Sequence, residues 1–170
     1  MAKRQTCKLY KYMKTDHLKD VINGSHVLLD DGTNYNDPFE LSIVGKERKT
    51  ESRISGVRLT CFTNSYLNKL MWAHYADNNR GVCLICELPV DDVYAVCYTS
   101  KRYSEADDID SIIYNSKNYA KRNLKKDYIV LDKKQKIALL KSLCWSYEKE
   151  YRVILTDYSK YKKELCSFIR

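Results

Sequence analysis

Apolar and polar residues alternate with period two along several short stretches of this chain, which predicts β-strands. Residues 8–13 put Leu9, Lys11 and Met13 on one face and Tyr10 and Tyr12 on the other. Residues 56–63 follow the same rule, with Val57, Leu59, Cys61 and Thr63 sharing a face; residues 26–29, 82–88 and 93–98 are short apolar runs that also read as strands, Pro89 ending the fourth. The longest such stretch, residues 143–155, is free of Gly and Pro and rich in aromatic and β-branched residues. As one strand it aligns Glu148, Glu150, Arg152 and Ile154 on one face, and Tyr147, Lys149, Tyr151 and Val153 on the other. Residues 165–169 add an edge strand.

Helical spacing appears elsewhere. Asp16 caps residues 17–22, which stop at Asn23-Gly24. Asn64-Ser65 caps residues 66–76, where Leu67, Leu70, Met71 and His74 form a stripe. Residues 104–126 are anchored by Ile109, Ile112, Ile113 and Tyr119; Asp132 caps a last helix carrying Ile137, Leu140 and Leu143. Residues 128–131 are an apolar bridge, and residues 43–55 have no clear period and read as a mobile loop. Strands and helices mix irregularly. The expected fold is therefore α+β: a single domain over residues 1–170, with a mixed or antiparallel twisted sheet and helices packed on it.

Composition narrows the class. The 170 residues are 44% hydrophobic and 31% charged, enough for a packed core, and only 5 Gly and 2 Pro argue against a loop-rich scaffold. No run is apolar and long enough to span a membrane, and the N-terminus lacks a signal-peptide core. The seven cysteines sit in apolar stretches, which fits thiols in a reducing cytoplasm. The Cys83/Cys86 pair falls on a strand, where positions three apart face opposite ways, so no metal site is assigned. The net charge of +8 favours contact with phosphates or acidic surfaces. Much of it lies within residues 117–141, read as a solvated helical face.

Two carboxylates and a guanidinium in a row need partners or a ligand if buried. On an edge strand they would simply face water and block aggregation. Asn36 or Asp37 can cap a short helix with Pro38 in its first turn, offering amides to an anion, or close a turn with Phe39 plugging the core.

Four pieces occur in order: Leu9-Tyr10-Lys11-Tyr12; Asn36-Asp37-Pro38-Phe39-Glu40; Cys61-Phe62-Thr63 with Met71-Trp72-Ala73-His74-Tyr75-Ala76 and Gly81-Val82; and Trp145-Ser146-Tyr147-Glu148-Lys149-Glu150-Tyr151-Arg152. In this combination the chain resembles the bacterial domain of unknown function 2971 family. The order of parts also resembles ADP-ribosyltransferase domains. That second resemblance implies NAD as cofactor, a nucleic-acid or protein acceptor, and a bacterial or phage-defence setting. It assigns Lys11 and Tyr12 to the first position, Thr63 or Tyr75 to the second, and Glu150 or Glu148 to the third. Glu150 would steady the positive charge that develops on ribose, with Glu148 orienting the acceptor. Arg152 would clamp a phosphate or neutralise Glu150, Tyr12, Trp72 or Tyr75 would stack on a ring, His74 would donate to ribose, and Asn36 and Asp37 would meet the anion. Two other classes stay open. One is a metal-dependent nuclease built on Asp37, Glu40, Glu148 and Glu150. The other is a binding module in which Glu148, Glu150 and Arg152 form a structural ion-pair ladder.

Overall fold

The computed structural model describes residues 4–24, 29–33, 35–47, 49–116 and 131–156. It is an α+β arrangement. The main sheet has five strands in the order β5-β1-β4-β9-β6, formed by β1 (Thr6–Met13), β4 (Arg58–Thr63), β5 (Val82–Pro89), β6 (Tyr94–Ala95) and β9 (Glu150–Leu155). Every pairing in it is antiparallel, with Tyr10 opposite Thr63, Cys61 opposite Arg152 and Thr63 opposite Glu150.

This register sorts the side chains. One face carries Leu9, Phe62, Cys86, Leu88 and Val153, which cluster with Val93. The other carries Tyr12, Cys61, Thr63, Glu150 and Arg152. Against that second face pack α2 (Lys69–Tyr75), through Met71, Trp72 and Tyr75 onto Tyr12, and a large core around Leu59, Leu139 and Ile154. The expected face of Leu59, Cys61 and Thr63 is thus the one the structure uses. Cys83 and Cys86 also enter different clusters. Cys61, Cys83, Cys86 and Cys144 are free thiols.

Several expected boundaries change. Helix α1 spans Thr15–Gly24, so Asp16 lies in its first turn. Residues 43–55 fold into a hairpin, β2 (Ser42–Val44) with β3 (Glu51–Arg53), closed by Gly45 N donating to Thr50 O at 2.9 Å. The stretch 93–98 divides between β6 and β7 (Cys97–Thr99); β7 leaves the main sheet to pair in parallel with β8 (Leu140–Ser142). Helix α2 starts later than Asn64-Ser65 because Asn68 Oδ1 accepts from Leu70 N and Met71 N. Of the expected stripe only Met71 is buried; Leu67, Leu70 and His74 are exposed. Phe39 is likewise exposed rather than a core plug, and residues 38–41 form a turn, not a helix.

Asp132 does cap α4 (Lys133–Ile137), with Gln135 completing a capping box, but Leu140 lies in β8 and Leu143 is exposed. Helix α3 is Ile109–Tyr114, with Ile109 and Ile113 buried. The expected elements at 26–28, 117–130 and 165–169 lie outside the described residues. No helix among the described residues is long and apolar enough to cross a membrane.

The stretch 143–155 is not one strand. Residues Leu143–Glu148 form a 3-10 turn, Lys149 is left-handed at φ 48°, and the strand begins only at Glu150. Two side chains fix this turn. Thr63 Oγ1 donates to Glu148 O at 2.7 Å, and Asn68 Nδ2 donates to Tyr147 O at 2.7 Å. Asn68 therefore ties the start of α2 to the turn, which brings Tyr75 to Glu148.

Candidate functional site: a buried carboxylate–cation cluster

Glu40, Lys141, Glu148, Glu150 and Arg152 meet where β9, β8 and the turn converge, each buried at 8% exposure or less. The Lys141 ammonium lies 2.6 Å from Glu148 Oε2, 2.9 Å from Glu150 Oε2 and 3.6 Å from Glu40 Oε2. Arg152 is fully buried. Its Nε donates to Glu150 Oε1 at 2.7 Å, Nη1 donates to Ala138 O, and Nη2 faces Glu40 Oε1 as an ion pair. Those last two atoms have no hydrogen-bond partner besides each other among the described residues.

Desolvating an ion costs several kcal/mol, so a pair removed from water adds little net stability, while an unpaired member costs a great deal. Three carboxylates here face two cations, leaving one excess negative charge. Burial lifts the Glu148 carboxyl above its ordinary range; Lys141 opposes this and Glu150 adds to it. Burial alone would lower the Lys141 ammonium, but Glu150 and Glu148 outweigh it and hold Lys141 above its ordinary value. Burial brings the Arg152 guanidinium down to about 10.

Glu148 is linked to the surface by a hydrogen-bond chain. Its Oε1 accepts from Tyr75 OH, and Tyr75 OH in turn accepts from exposed Asn36 Nδ2 at 2.8 Å. Burial and the Glu148 charge keep the Tyr75 phenol protonated well beyond its usual range. Beside this chain stand half-open rings: His74 lies 6.3 Å from Tyr75 and 6.4 Å from Tyr147, and Trp145 lies 6.0 Å from Tyr147. Lys141 Nζ lies 5.4 Å from the Trp145 ring. On another side, Glu40 and Lys141 line a cleft of about 290 Å³ together with Asp37, Ser42, Thr99 and Tyr103. Phe39 and Arg102 also line it, with the guanidinium stacked 4.0 Å from the ring centroid.

The expected site residues divide accordingly. Glu148, Glu150, Tyr75, Asn36 and Arg152 come together, with His74 at the rim. Thr63 is adjacent but committed to the Glu148 carbonyl. Asp37 is buried and accepts from Phe39 N at 3.0 Å. Tyr12 and Trp72 pack edge to face at 5.1 Å, with their polar atoms bonded to Ser65 O and Tyr66 O. They buttress α2 instead of offering an open ring. Lys11 falls on the opposite sheet face, over Phe62, with Nζ donating to Thr60 Oγ1 at 2.9 Å. Arg152 has no exposed surface with which to clamp a phosphate.

Lys141 is the residue that pattern reasoning missed: it was grouped with a solvated basic face and is instead the hub of the cluster. Its position directly after the apolar run Ile137-Ala138-Leu139-Leu140 and two residues before Leu143 was the available signal.

The fold and site define a class: an α+β domain in which an antiparallel sheet carries an internal Glu–Lys–Arg cluster with a tyrosine outlet. Residues 71–153, a little under half of the chain, match the family model described as Protein of unknown function (DUF2971), and the chain resembles that family. The matched stretch runs from α2 to β9 and contains Tyr75, Lys141, Glu148, Glu150 and Arg152. No curated protein and no solved structure matches.

Proposed function

We propose that this chain is an ADP-ribosyltransferase-like enzyme that uses NAD as donor and a nucleic acid or protein as acceptor. The supporting observation is the Asn36–Tyr75–Glu148 chain, which leads from the surface to a carboxyl whose proton affinity is raised. NAD, when bound, supplies an activated glycosidic bond to ribose. Glu148, reached through Tyr75, would hold a ribose hydroxyl of the donor and supply the negative charge that stabilises a ribosyl cation. Tyr75 holds or passes the proton at Glu148 Oε1. Glu150, saturated by Lys141 and Arg152, is a positioning residue that fixes Lys141 and thereby Glu148. The rings of His74, Tyr147 and Trp145 offer a wall suited to a flat heterocycle. The net charge of +8 favours a nucleic-acid acceptor.

The test is release of nicotinamide from NAD with candidate acceptors. Glu148→Gln should lower the rate by about 10²–10⁴-fold, the usual range for a positioned acid or base. Tyr75→Phe should lower it as well, with the melting temperature of each variant measured alongside. Absence of release by wild-type protein across DNA, RNA and protein acceptors, together with no NAD binding by calorimetry, would sink the reading.

The saturation of Glu150 favours a second reading, a non-catalytic binding module in which the cluster fixes the register of β9 and the turn. Under it, Glu148→Gln lowers stability and the wild type has no activity to lose. The nuclease reading fares less well, because no group of three or more His, Cys, Asp or Glu side chains among the described residues is arranged to hold a metal ion.

A further inference from the structure

Strand β5 closes one side of the main sheet, and no described residue pairs with its outer side. Such an edge displays a row of free N–H and C=O groups, and natural proteins usually blunt it with lysine, proline, a bulge or a covering loop. This one is eight residues long and pairs with β1 without a bulge, Thr6 opposite Pro89 through Met13 opposite Val82. Its sequence, Val82-Cys83-Leu84-Ile85-Cys86-Glu87-Leu88-Pro89, contains no lysine, one charge, and proline only as its last residue.

A second observation lies on the same edge. Ile85 is 64% exposed, and its cross-strand neighbour Tyr10 packs on Tyr66, itself 51% exposed, at 5.2 Å between ring centroids. An apolar patch therefore flanks the open edge on the face that also bears α2. Contiguous exposed apolar surface of this kind marks an interaction site.

We propose that β5 is a homodimer interface, in which two copies join antiparallel, edge to edge, about a two-fold axis at Ile85. An antiparallel strand is self-complementary under such an axis, so the partner's donors meet acceptors along its length. Side-chain pairing agrees. An axis perpendicular to the sheet at Ile85 sets each Ile85 against the other copy's Ile85, Leu84 against Cys86, and Cys83 against Glu87. Directly opposed residues then share a face, and no two like charges are opposed. On the face that bears α2, Ile85 is then flanked by Tyr10 of its own copy and by Ile85 of the other, which joins the two apolar patches across the axis. A second copy fits these features better than an unrelated strand, because one operation pairs the whole length of the edge and sets exposed Ile85 against exposed Ile85.

The experiment is mass measurement by light scattering or sedimentation on wild type, Ile85→Lys and Ile22→Lys. Ile22 is 68% exposed on α1 and serves as a control for removing any exposed apolar side chain. Wild type and Ile22→Lys should run at twice the 20.0 kDa chain mass, and Ile85→Lys at the chain mass with an unchanged melting curve at low concentration. A monomeric wild type at the highest concentration reached overturns the proposal and leaves the edge to a strand of another protein. A dimer that survives Ile85→Lys overturns it too, since the contact then lies elsewhere. Neither outcome depends on catalysis.

Discussion

Arg152→Met removes a fully buried cation and keeps most of the side-chain volume. In the folded chain Glu40 Oε1 then loses its ion-pair partner, and Glu150 Oε1 loses the 2.7 Å bond from Nε. The Ala138 carbonyl also loses its guanidinium donor. Three carboxylates would be left to Lys141 alone. Breaking a buried ion pair from one side costs about 3–5 kcal/mol, because the remaining charge stays buried without its partner. For a chain of this size each kcal/mol moves the melting temperature by about 2–4 °C, so a drop of about 6–20 °C is expected. Urea unfolding should show the same loss as a lower midpoint with an unchanged slope. Replacing Glu40 by Leu in the same molecule should restore part of the loss, since removing both partners of a buried pair is far milder than removing one. The coupling in that double-mutant cycle should be about 0.5–3 kcal/mol. An Arg152→Met protein that melts within about 0.5 kcal/mol of wild type, the level of an ordinary surface substitution, would refute the burial argument. Strict additivity of the two substitutions would refute the pairing of Arg152 with Glu40.

Two further outcomes follow from the same geometry. Burial lifts the phenols of Tyr35, Tyr75 and Tyr98 above their ordinary 10.0, and the carboxylates lift Lys141 above 10.5, so the unfolded chain releases these protons first and stability falls as pH rises past about 10. Arg152 and Lys11, both lowered by burial, run the other way, two groups against these four and the burial-raised thiols of Cys61, Cys83 and Cys86, so thermal melts at rising alkaline pH should shift steadily downward; a melting temperature that holds or climbs there would contradict the burial of the phenols. At Gly81 an added Cβ would lie 2.3 Å from Met13 O and 2.8 Å from Ala76 backbone atoms, so Gly81→Ala should cost about 1–3 kcal/mol in urea unfolding, and a loss below about 0.5 kcal/mol would show that the turn into β5 can yield.

Local pattern carried a good deal of this protein. Alternation identified β1 and β4, and a short apolar run bounded by Gly81 and Pro89 identified β5. The Asp132 cap was legible because its chemistry is local, an Asp three positions before a Gln. The grouping of Glu148, Glu150 and Arg152 was legible as well, though for an incomplete reason. A continuous strand through residue 148 predicted it, whereas the chain achieves it with a 3-10 turn and a left-handed Lys149. That turn is held by Thr63 and Asn68, residues about 80 positions earlier, whose hydrogen bonds no local window can contain.

By itself, then, the order of residues determined β1, β4 and β5, which of their faces meet a core, and that Glu148, Glu150 and Arg152 would lie together. Tertiary structure alone decided who neutralises them. Lys141 reaches the cluster because β8 pairs with β7, which sets Lys141 beside Tyr98; Glu40 reaches it from a turn more than a hundred residues away from Arg152. The partner of a buried charge is chosen by distance in space, and a one-dimensional pattern records distance only along the chain.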